Sequence, residues 1–272
     1  MPLTAVRHVR KMRGGAQAHL VEADDGHWYV VKFRNNPQHQ RILVNELVAS
    51  AFLEYLKIAV PETAVIDFSA AFLAANREVR FSLGTRQIEI EPGWHFGSRY
   101  PGDPSRIAVY DFLPDALLPN VANLEDFRAI LVFDKWVANA DGRQSVFYRA
   151  RVREQTGERR PAFVARMIDH GFAFDGPNWD FPESPVQGLY ARRMVYDSVR
   201  SLDDFQPWLD LVRNFPEEVV DLAWKRIPPY WIAGEEEALE RLLARLFERR
   251  KRVPDLIASC RGARVNPFPN WQ

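Results

Sequence analysis

The chain has 272 residues and a mass of 31.5 kDa, and its 36 basic and 36 acidic side chains give a formal net charge of zero. Hydrophobic residues make up 47% and charged residues 26%, which excludes a disordered or fibrous chain. The single cysteine, Cys260, excludes an internal disulfide and a multi-cysteine zinc site. The N-terminal segment lacks the apolar stretch of a signal peptide, and the longest apolar runs are too short to span a bilayer. We therefore expect a soluble, cytoplasmic protein with no membrane partner and no direct nucleic-acid binding.

The first half of the chain predicts short strands around one helix. Four apolar runs rich in Val, Ile and aromatic residues predict strands: His19–Ala23, His27–Phe33, Ala64–Phe68 and Arg86–Ile90. The first two flank an Asp-Asp-Gly turn, which indicates a hairpin. Arg41–Lys57 has apolar residues at helical spacing, and Pro61 follows it. The Gly- and Pro-rich segment Pro92–Pro104 predicts a long functional loop.

The second half is predicted to be mainly helical. Leu124–Ala138 is an apolar helix, and Val146–Val152 with Ala162–Ile168 predicts a strand pair around the polar turn Glu154–Arg160. Three further segments predict helices: Leu202–Val212, Pro216–Arg226 and Glu235–Arg252. The expected architecture is α+β, with a β-rich lobe, a helical lobe and a cleft between them.

Two features of the first half suit a nucleotide. Adjacent glycines in Arg13-Gly14-Gly15-Ala16-Gln17 let backbone amides approach phosphate oxygens, although the segment alone is also typical of an ordinary loop. Lys32 in an apolar strand requires a partner for its ammonium group or solvent at a sheet edge. Glu46 on the helix is a candidate partner or a surface residue. A strand lysine followed by a helix glutamate positions the phosphates of ATP in protein kinases.

Two aspartates of the second half suit phosphoryl transfer. Asp141 lies in the polar segment after an apolar helix, and Asp169 follows an apolar strand directly. In a phosphotransferase, one carboxylate orients or deprotonates the acceptor hydroxyl and another holds magnesium. Each aspartate alone is compatible with a plain turn or a strand-end cap. The order of all these features along the chain favours the phosphotransferase.

These motifs resemble those of the HipA-like branch of the protein-kinase and phosphoinositide-kinase-like superfamily, over nearly the whole chain. Gly15-Ala16-Gln17 is similar to that family's phosphate loop, and Lys32 matches its strand lysine. The segments that match its catalytic and metal-binding motifs run from Phe133-Asp134 to Asn139-Ala140-Asp141, and from Ile168 to Gly171.

The resemblance implies a bacterial-type, two-lobed kinase with an N-lobe of residues 1–112 and a C-lobe of residues 113–272, and with ATP and Mg²⁺ as cofactors. It makes Asp141 the catalytic residue and Asp169 the main magnesium ligand. The nucleotide-binding residues it implies are Gly14, Gly15, Ala16, Gln17, Lys32 and Glu46, with Tyr110 and Leu113 in the hinge that contacts adenine.

One departure concerns the second metal ligand. Where the family has an Asn, five residues after the catalytic Asp, this chain has Val146, whose side chain offers no oxygen. We predict that Gln144 or Ser145 supplies the neutral oxygen instead, with water at that position as the alternative. No Ser or Thr lies between Ala5 and Ala49, so we expect no regulation by phosphorylation of the glycine loop.

Three functions remain open at this point. The first is an ATP- and magnesium-dependent kinase that phosphorylates Ser or Thr on a protein. Asp141 and Asp169 favour this function. The second is a nucleotide-binding pseudokinase or scaffold, which the missing Asn favours. The third is a small-molecule or lipid kinase on the same fold.

Overall fold

The N-terminal part of the chain forms a closed five-stranded β-barrel in the computed structural model, which describes residues 1–153 and 157–272. Its strands and helices are, in chain order, β1 (Leu3–Lys11), β2 (His19–Ala23), β3 (Trp28–Lys32), α1 (Arg41–Tyr55), β4 (Thr63–Phe68), α2 (Ala70–Ala75), β5 (Arg80–Leu83), β6 (Arg86–Glu89) and β7 (Gly93–Arg99). The barrel order is β1-β2-β3-β7-β4, with β1 and β4 parallel, while β5 and β6 form a separate hairpin.

Strand β7 corrects the prediction that residues 92–104 form one long loop. Its Gly97 lies between Val31 and Ala64 of the neighbouring strands. A Cβ atom at Gly97 would lie 2.6 Å from Cγ1 of Ile66, so the glycine permits the close packing of the barrel rather than a turn.

Strand β1 was not predicted, because its pattern is not a clean alternation. Only Ala5 is buried in this strand, and several basic residues follow it. Two irregularities shift the register with β2, one between Ala5 and Arg7 and one between His8 and Arg10. Such bulges interrupt the period of two that identifies a strand.

The barrel interior is aromatic and also encloses a histidine. His95 is fully buried; its Nδ1 accepts a hydrogen bond from the Arg34 backbone N–H (3.0 Å), and its Nε2 donates to the Glu91 carbonyl (3.0 Å). Phe33 and Phe68 pack against its ring edge to face. Burial lowers the pKa of His95 to about 3, so this side chain is neutral in the folded protein.

The remainder of the chain is mainly helical, as predicted, around a small sheet. Its elements are β8 (Val109–Tyr110), α3 (Asp126–Trp136), β9 (Gln144–Arg153), β10 (Arg159–Ile168), α4 (Trp208–Arg213), α5 (Glu217–Arg226), α6 (Glu236–Arg249) and α7 (Val253–Ser259). The sheet order is β10-β9-β8. The predicted strand pair is confirmed, and residues 154–156 of its turn lie outside the described residues.

A proline divides one segment that was predicted as a single helix, whereas the helix predicted over Glu235–Arg252 is found as α6 followed by a 3₁₀ turn at Arg250–Arg252. Leu202–Phe205 is a 3₁₀ turn and α4 starts only at Trp208, because Pro207 between them has no backbone N–H for a continuous helix. Helix α6 ends at Arg249, and Pro254 lies in the first turn of α7, where a missing N–H costs nothing. No helix in the described part of the chain is long and apolar enough to cross a bilayer.

Helix α1 lies at the centre of the molecule. Twelve consecutive residues, 42–53, are buried, and Phe52 stacks on Trp136 of α3 with ring centroids 5.5 Å apart. Three polar residues, Asn45, Glu46 and Ser50, are buried with this helix. Because a buried polar group is costly without partners, each must form hydrogen bonds inside the protein.

Candidate active site

A cleft of about 840 Å³ lies between the barrel and the C-terminal half of the chain. From the barrel side it is lined by Gly14, Gly15, Ala16, Val30 and Lys32, and from the opposite side by Gln144, Val146, Ile168 and Asp169. Glu46 of α1 closes its inner end. The structure thus brings the predicted glycine loop, strand lysine, helix glutamate and metal-binding aspartate together.

Lys32 connects the two predicted carboxylates. Its Nζ lies 2.5 Å from Oε1 of Glu46 and 2.7 Å from Oδ1 of Asp169. Burial alone would lower the pKa of Lys32, but the Glu46 and Asp169 carboxylates outweigh it and raise that pKa above its ordinary value. Burial raises the pKa of Asp169, yet Lys32 and Arg143 together hold it below its ordinary value. Lys32 is therefore a cation and Asp169 an anion.

Glu46 also positions the segment that follows Asp169. Its Oε2 accepts the backbone N–H of His170 (3.1 Å), and its Oε1 accepts that of Gly171 (3.1 Å). A Cβ at Gly171 would lie 2.4 Å from Cγ2 of Ile42, so glycine lets the segment approach α1. Of the two alternatives that the sequence left for Glu46, the surface position is excluded: Glu46 is buried, with three donors around its carboxylate.

The catalytic segment is held by hydrogen bonds within its own loop. Oδ1 of Asn139 accepts the Asp141 backbone N–H (3.2 Å), and Nε2 of Gln144 donates to Oδ2 of Asp141 (3.1 Å). The Gln144 amide also lowers the pKa of Asp169, so it lies beside both predicted carboxylates. Asp141 itself is exposed and is not among the residues that line the cleft.

The two predicted substitute ligands point in different directions. Gln144 pairs with Ile168 in the β9–β10 ladder, directly beside Asp169. Ser145 is the next residue of the strand, so its side chain lies on the opposite face. Its Oγ is buried and has no hydrogen-bond partner in the described part of the chain. The structure brings Gln144, and not the Ser145 side chain, to the carboxylates.

A buried ion pair that the motifs did not reveal supports both loops. The Arg143 guanidinium binds Asp134 at the end of α3 with two hydrogen bonds, of 2.8 and 2.5 Å. It also donates to the Ile168 carbonyl (2.7 Å) and to Nδ1 of His170 (3.2 Å). Burial raises the pKa of Asp134, although Arg143 opposes the shift. The only sequence signal for this pair was Asp134 within the Phe-Asp motif.

His170 is buried beside this ion pair and is neutral. Burial, followed by the positive charges of Arg143 and Lys32, lowers its pKa well below the ordinary value. Because Nδ1 accepts from Arg143, the ring proton is on Nε2.

Gln17 anchors the glycine loop and does not line the cleft. Its Oε1 accepts from the Ser82 backbone N–H (2.8 Å) and from Nζ of Lys11 (2.7 Å), and its Nε2 donates to the Ser82 carbonyl (2.9 Å). The Gln17 side chain thus binds β5 of the separate hairpin, while Gly14, Gly15 and Ala16 face the cleft.

The two residues predicted for the hinge, Tyr110 and Leu113, do not line the cleft. Tyr110 is exposed and packs against Phe163, and Leu113 is buried in the core, so that neither lines the cleft. The residues of this segment that do line it are Val109, Asp111 and Phe112. The sequence located the segment but not which side chains face the cavity.

The oxygen atoms of the site fit a magnesium ion held together with a nucleotide. In residues 1–153 and 157–272, no three His, Cys, Asp or Glu side chains cluster as a preformed metal site. Magnesium in nucleotide sites uses one or two carboxylates and takes its other ligands from phosphate and water. Asp169, Asp141 and the Gln144 amide are a donor set of that kind.

The chain is similar to known proteins in sequence and in fold. A family model described as HipA-like kinase matches residues 6–251. A crystal structure of the Golgi casein kinase with Mn/ADP bound has a TM-score of 0.54 at 12% identity, covering 97% of this chain and 75% of that chain. A second crystal structure of the Golgi casein kinase has a TM-score of 0.51 at 12% identity, covering 97% and 74%. No curated protein sequence matches the chain. Because both identities are 12%, these likenesses concern the fold alone, and they confirm the predicted kinase-like fold.

Proposed function

The chain belongs to the HipA-like kinase family and is a phosphotransferase, and from this premise we propose that it transfers the γ-phosphoryl group of ATP, bound with Mg²⁺, to a Ser or Thr hydroxyl of a protein. The observation that carries the proposal is the convergence of Lys32, Glu46 and Asp169 in the cleft. A cation held by a helix carboxylate and placed beside a metal-binding aspartate is the arrangement that protein kinases use for phosphoryl transfer.

The nucleotide is assigned to the cleft by the charges and backbone groups there. The backbone of Gly14, Gly15 and Ala16 would cradle its phosphates, and Lys32 would neutralise them. The Golgi casein kinase, which shares the fold, was crystallised with Mn/ADP, which supports a nucleotide and a divalent cation here.

Asp169 would hold the magnesium ion, and the Gln144 amide, whose Nε2 faces Asp141 in the free protein, would have to turn its oxygen toward the ion. The ion would neutralise charge on the transferring phosphoryl group. Asp141 would accept the proton of the acceptor hydroxyl, because its carboxylate is exposed beside Gln144 and forms no ion pair with Lys32. Its exposure favours a protein acceptor over a small molecule enclosed in the cleft.

We assign residues 1–112 to the N-lobe and residues 113–272 to the C-lobe of this kinase. The assignment places the glycine loop, Lys32 and Glu46 in one lobe and both aspartates in the other. The buried, unpaired Cys260 favours a reducing compartment such as the cytoplasm.

The test is the transfer of radioactive phosphate from ATP to lysate protein, measured for the wild type, Asp141→Asn and Asp169→Asn. We expect labelled phosphoserine or phosphothreonine with the wild type and none with either variant. An Asp169-dependent thermal shift with ATP and Mg²⁺ but no transfer would indicate a pseudokinase instead. Label found only in lipid or sugar extracts would indicate a small-molecule kinase.

A further inference from the structure

Strands β9 and β10 form a two-stranded ribbon that runs outward from the active site. At its base, Gln144 pairs with Ile168 beside Asp169, and at its outer end Arg153 pairs with Arg159. The neighbouring strand β8 pairs only with residues 147 and 148 of β9, so the outer part of the ribbon is not covered by a third strand. One ladder therefore connects the active site with a surface far from the nucleotide.

This ribbon is strongly basic. Its two strands together contain six arginines and no acidic residue: Arg149, Arg151, Arg153, Arg159, Arg160 and Arg166. The chain as a whole has equal numbers of acidic and basic side chains, so the positive charge here is a local concentration. Local clusters of this kind attract and orient charged partners.

Four of these arginines share one face. Arg149, Arg151 and Arg153 alternate along β9, and Arg159 lies directly opposite Arg153. All four are exposed, and none of them has an ion-pair partner among residues 1–153 and 157–272. The Arg149 guanidinium lies over the ring of Phe163 (5.2 Å). In contrast, other arginines of the molecule, such as Arg41, Arg226 and Arg249, form ion pairs.

We propose that this arginine face binds an acidic, extended segment of the protein whose hydroxyl group is phosphorylated. The inference rests on the proposed function, because it takes the acceptor to be a protein. Alternate residues of a strand are about 6.6–6.8 Å apart, so an extended peptide with acidic residues at alternate positions matches the spacing of Arg149, Arg151 and Arg153. These arginines share the phase of Ser145 and not of Gln144, so the acidic segment docks on the face of the ribbon turned away from Asp141, and the phosphorylated hydroxyl belongs to a part of the acceptor beyond that segment.

Two observations favour an acidic peptide over a nucleic acid. Sequence-independent binding of single strands uses exposed aromatic rings on which bases stack. On this face Phe163 is buried beneath Arg149 and the exposed Tyr110 packs edge-on against it, so the four arginines of the described ribbon are followed by a single exposed ring and not by a row of them. The net charge of the chain is zero, whereas a protein that binds nucleic acid by its charge is expected to be basic overall.

The test measures binding by fluorescence anisotropy with the full-length chain in the absence of ATP. The probe is a labelled serine peptide with Glu at alternate positions, and its control carries Gln at each Glu position. We expect the acidic peptide to bind at least tenfold more tightly at low salt, and the difference to shrink at high salt. The combined variant Arg151→Glu, Arg153→Glu and Arg159→Glu should weaken this binding about tenfold or more, and should bind a Lys-substituted peptide instead.

The matched control is Lys225→Glu, Lys251→Glu and Arg264→Glu, which makes the same charge change at exposed positions of the helical part. It should bind the acidic peptide like the wild type. Equal weakening in both triple variants, or none in the ribbon variant, would overturn the proposal. Binding of poly(U) RNA or anionic vesicles through the ribbon without binding of the peptide would overturn it as well.

Two further readouts separate this proposal from the proposed function. The ribbon variant should keep the thermal shift with ATP and Mg²⁺, and in phosphoryl transfer its KM for the acidic peptide should rise while kcat stays constant. Ribbon-dependent peptide binding without any transfer would leave the docking surface intact and refute the kinase activity.

Discussion

At the scale of single residues, Lys32 is the group on which the active site depends. It forms ion pairs with Glu46 and Asp169, and it is mostly shielded from solvent. Removing one member of a buried ion pair leaves an uncompensated charge, which costs about 3–5 kcal/mol. We therefore predict that Lys32→Ala and Glu46→Ala each destabilise the protein strongly and that their effects on nucleotide affinity are strongly non-additive.

Urea unfolding and nucleotide titration of the two single variants and the double variant check this coupling. Glu54→Ala on the same helix is the control, because its partner Arg226 is exposed and such pairs contribute at most about 1 kcal/mol. Additive effects of the Lys32 and Glu46 substitutions would show that the two side chains act independently.

A second residue-scale prediction concerns the second metal ligand. We expect Gln144→Ala to raise the magnesium concentration needed for half-maximal phosphoryl transfer, because it removes the amide that contacts both Asp141 and Asp169. Ser145→Ala is the neighbouring control and should leave this concentration unchanged. If both variants behave like the wild type while Asp141→Asn is inactive, water and not Gln144 supplies the oxygen.

At the scale of elements, Asn45 clamps helix α1 to the segment that follows Asp169. Its Nδ2 donates to the carbonyls of Gly171 (2.7 Å), Ala173 (3.0 Å) and Gly176 (3.0 Å). Its Oδ1 accepts from Nε1 of Trp179 (2.9 Å). The amide is fully buried and satisfies four groups that water cannot reach.

We predict that Asn45→Asp destabilises the protein by about 3 kcal/mol or more, because a carboxylate would face three carbonyl oxygens. Trp179→Phe replaces the indole by a smaller aromatic ring and removes one hydrogen bond, and the lost hydrogen bond is expected to cost about 1–2 kcal/mol of stability. Chemical denaturation measures both changes. A loss for Asn45→Asp no larger than that for Trp179→Phe would contradict the clamp.

The sequence predicted the elements in which apolar residues recur at regular helical or strand spacing. Helix α1 and the β9–β10 ribbon follow the 3.6- and 2-residue patterns, and both were found. Strands β1 and β7 were missed, because bulges interrupt the first and glycines that serve close packing occur in the second. The Arg143–Asp134 pair could not be predicted, since its two residues meet only through tertiary packing.

The site residues show the same division. The order of Gly15, Lys32, Glu46, Asp141 and Asp169 along the chain indicated which residues meet. Which side chains face the cleft depends on strand phase, and a pattern of residue types does not specify that phase. Gln17 and Leu113 lie in loops, where no period specifies the direction of a side chain, whereas simple alternation would have separated Gln144 from Ser145 in advance.

At the scale of the whole molecule, buried histidines set the pH dependence of stability. His95 and His170 are neutral in the folded protein, with pKa values of about 3 for His95 and well below the ordinary value for His170, chiefly because of burial. In the unfolded chain both bind a proton near pH 6.5. Below that pH the unfolded state therefore binds more protons, and the free energy of unfolding falls as the pH falls.

The expected slope is about 1.4 kcal/mol per pH unit for each such histidine, from about pH 6.5 down to its folded pKa. Urea unfolding at several pH values measures it. His95→Gln should reduce the slope by about 1.4 kcal/mol per pH unit, which is the contribution of one proton. His27→Gln at an exposed position is the control. A stability independent of pH between about 5 and 6.5 would show that these side chains are already protonated in the folded state.

In the free protein, the ion pair between Lys32 and Asp169 competes with ligand binding at both residues. Under the proposed function, a divalent cation at Asp169 would replace the Lys32 ammonium, and a phosphate at Lys32 would replace the Asp169 carboxylate. Either exchange would free the other residue from its counter-charge, so the second ligand would meet a group that is already released. Nucleotide and cation should therefore bind with positive heterotropic cooperativity, each raising the affinity for the other by the same factor. Until both arrive, the site remains in a charge-compensated resting state.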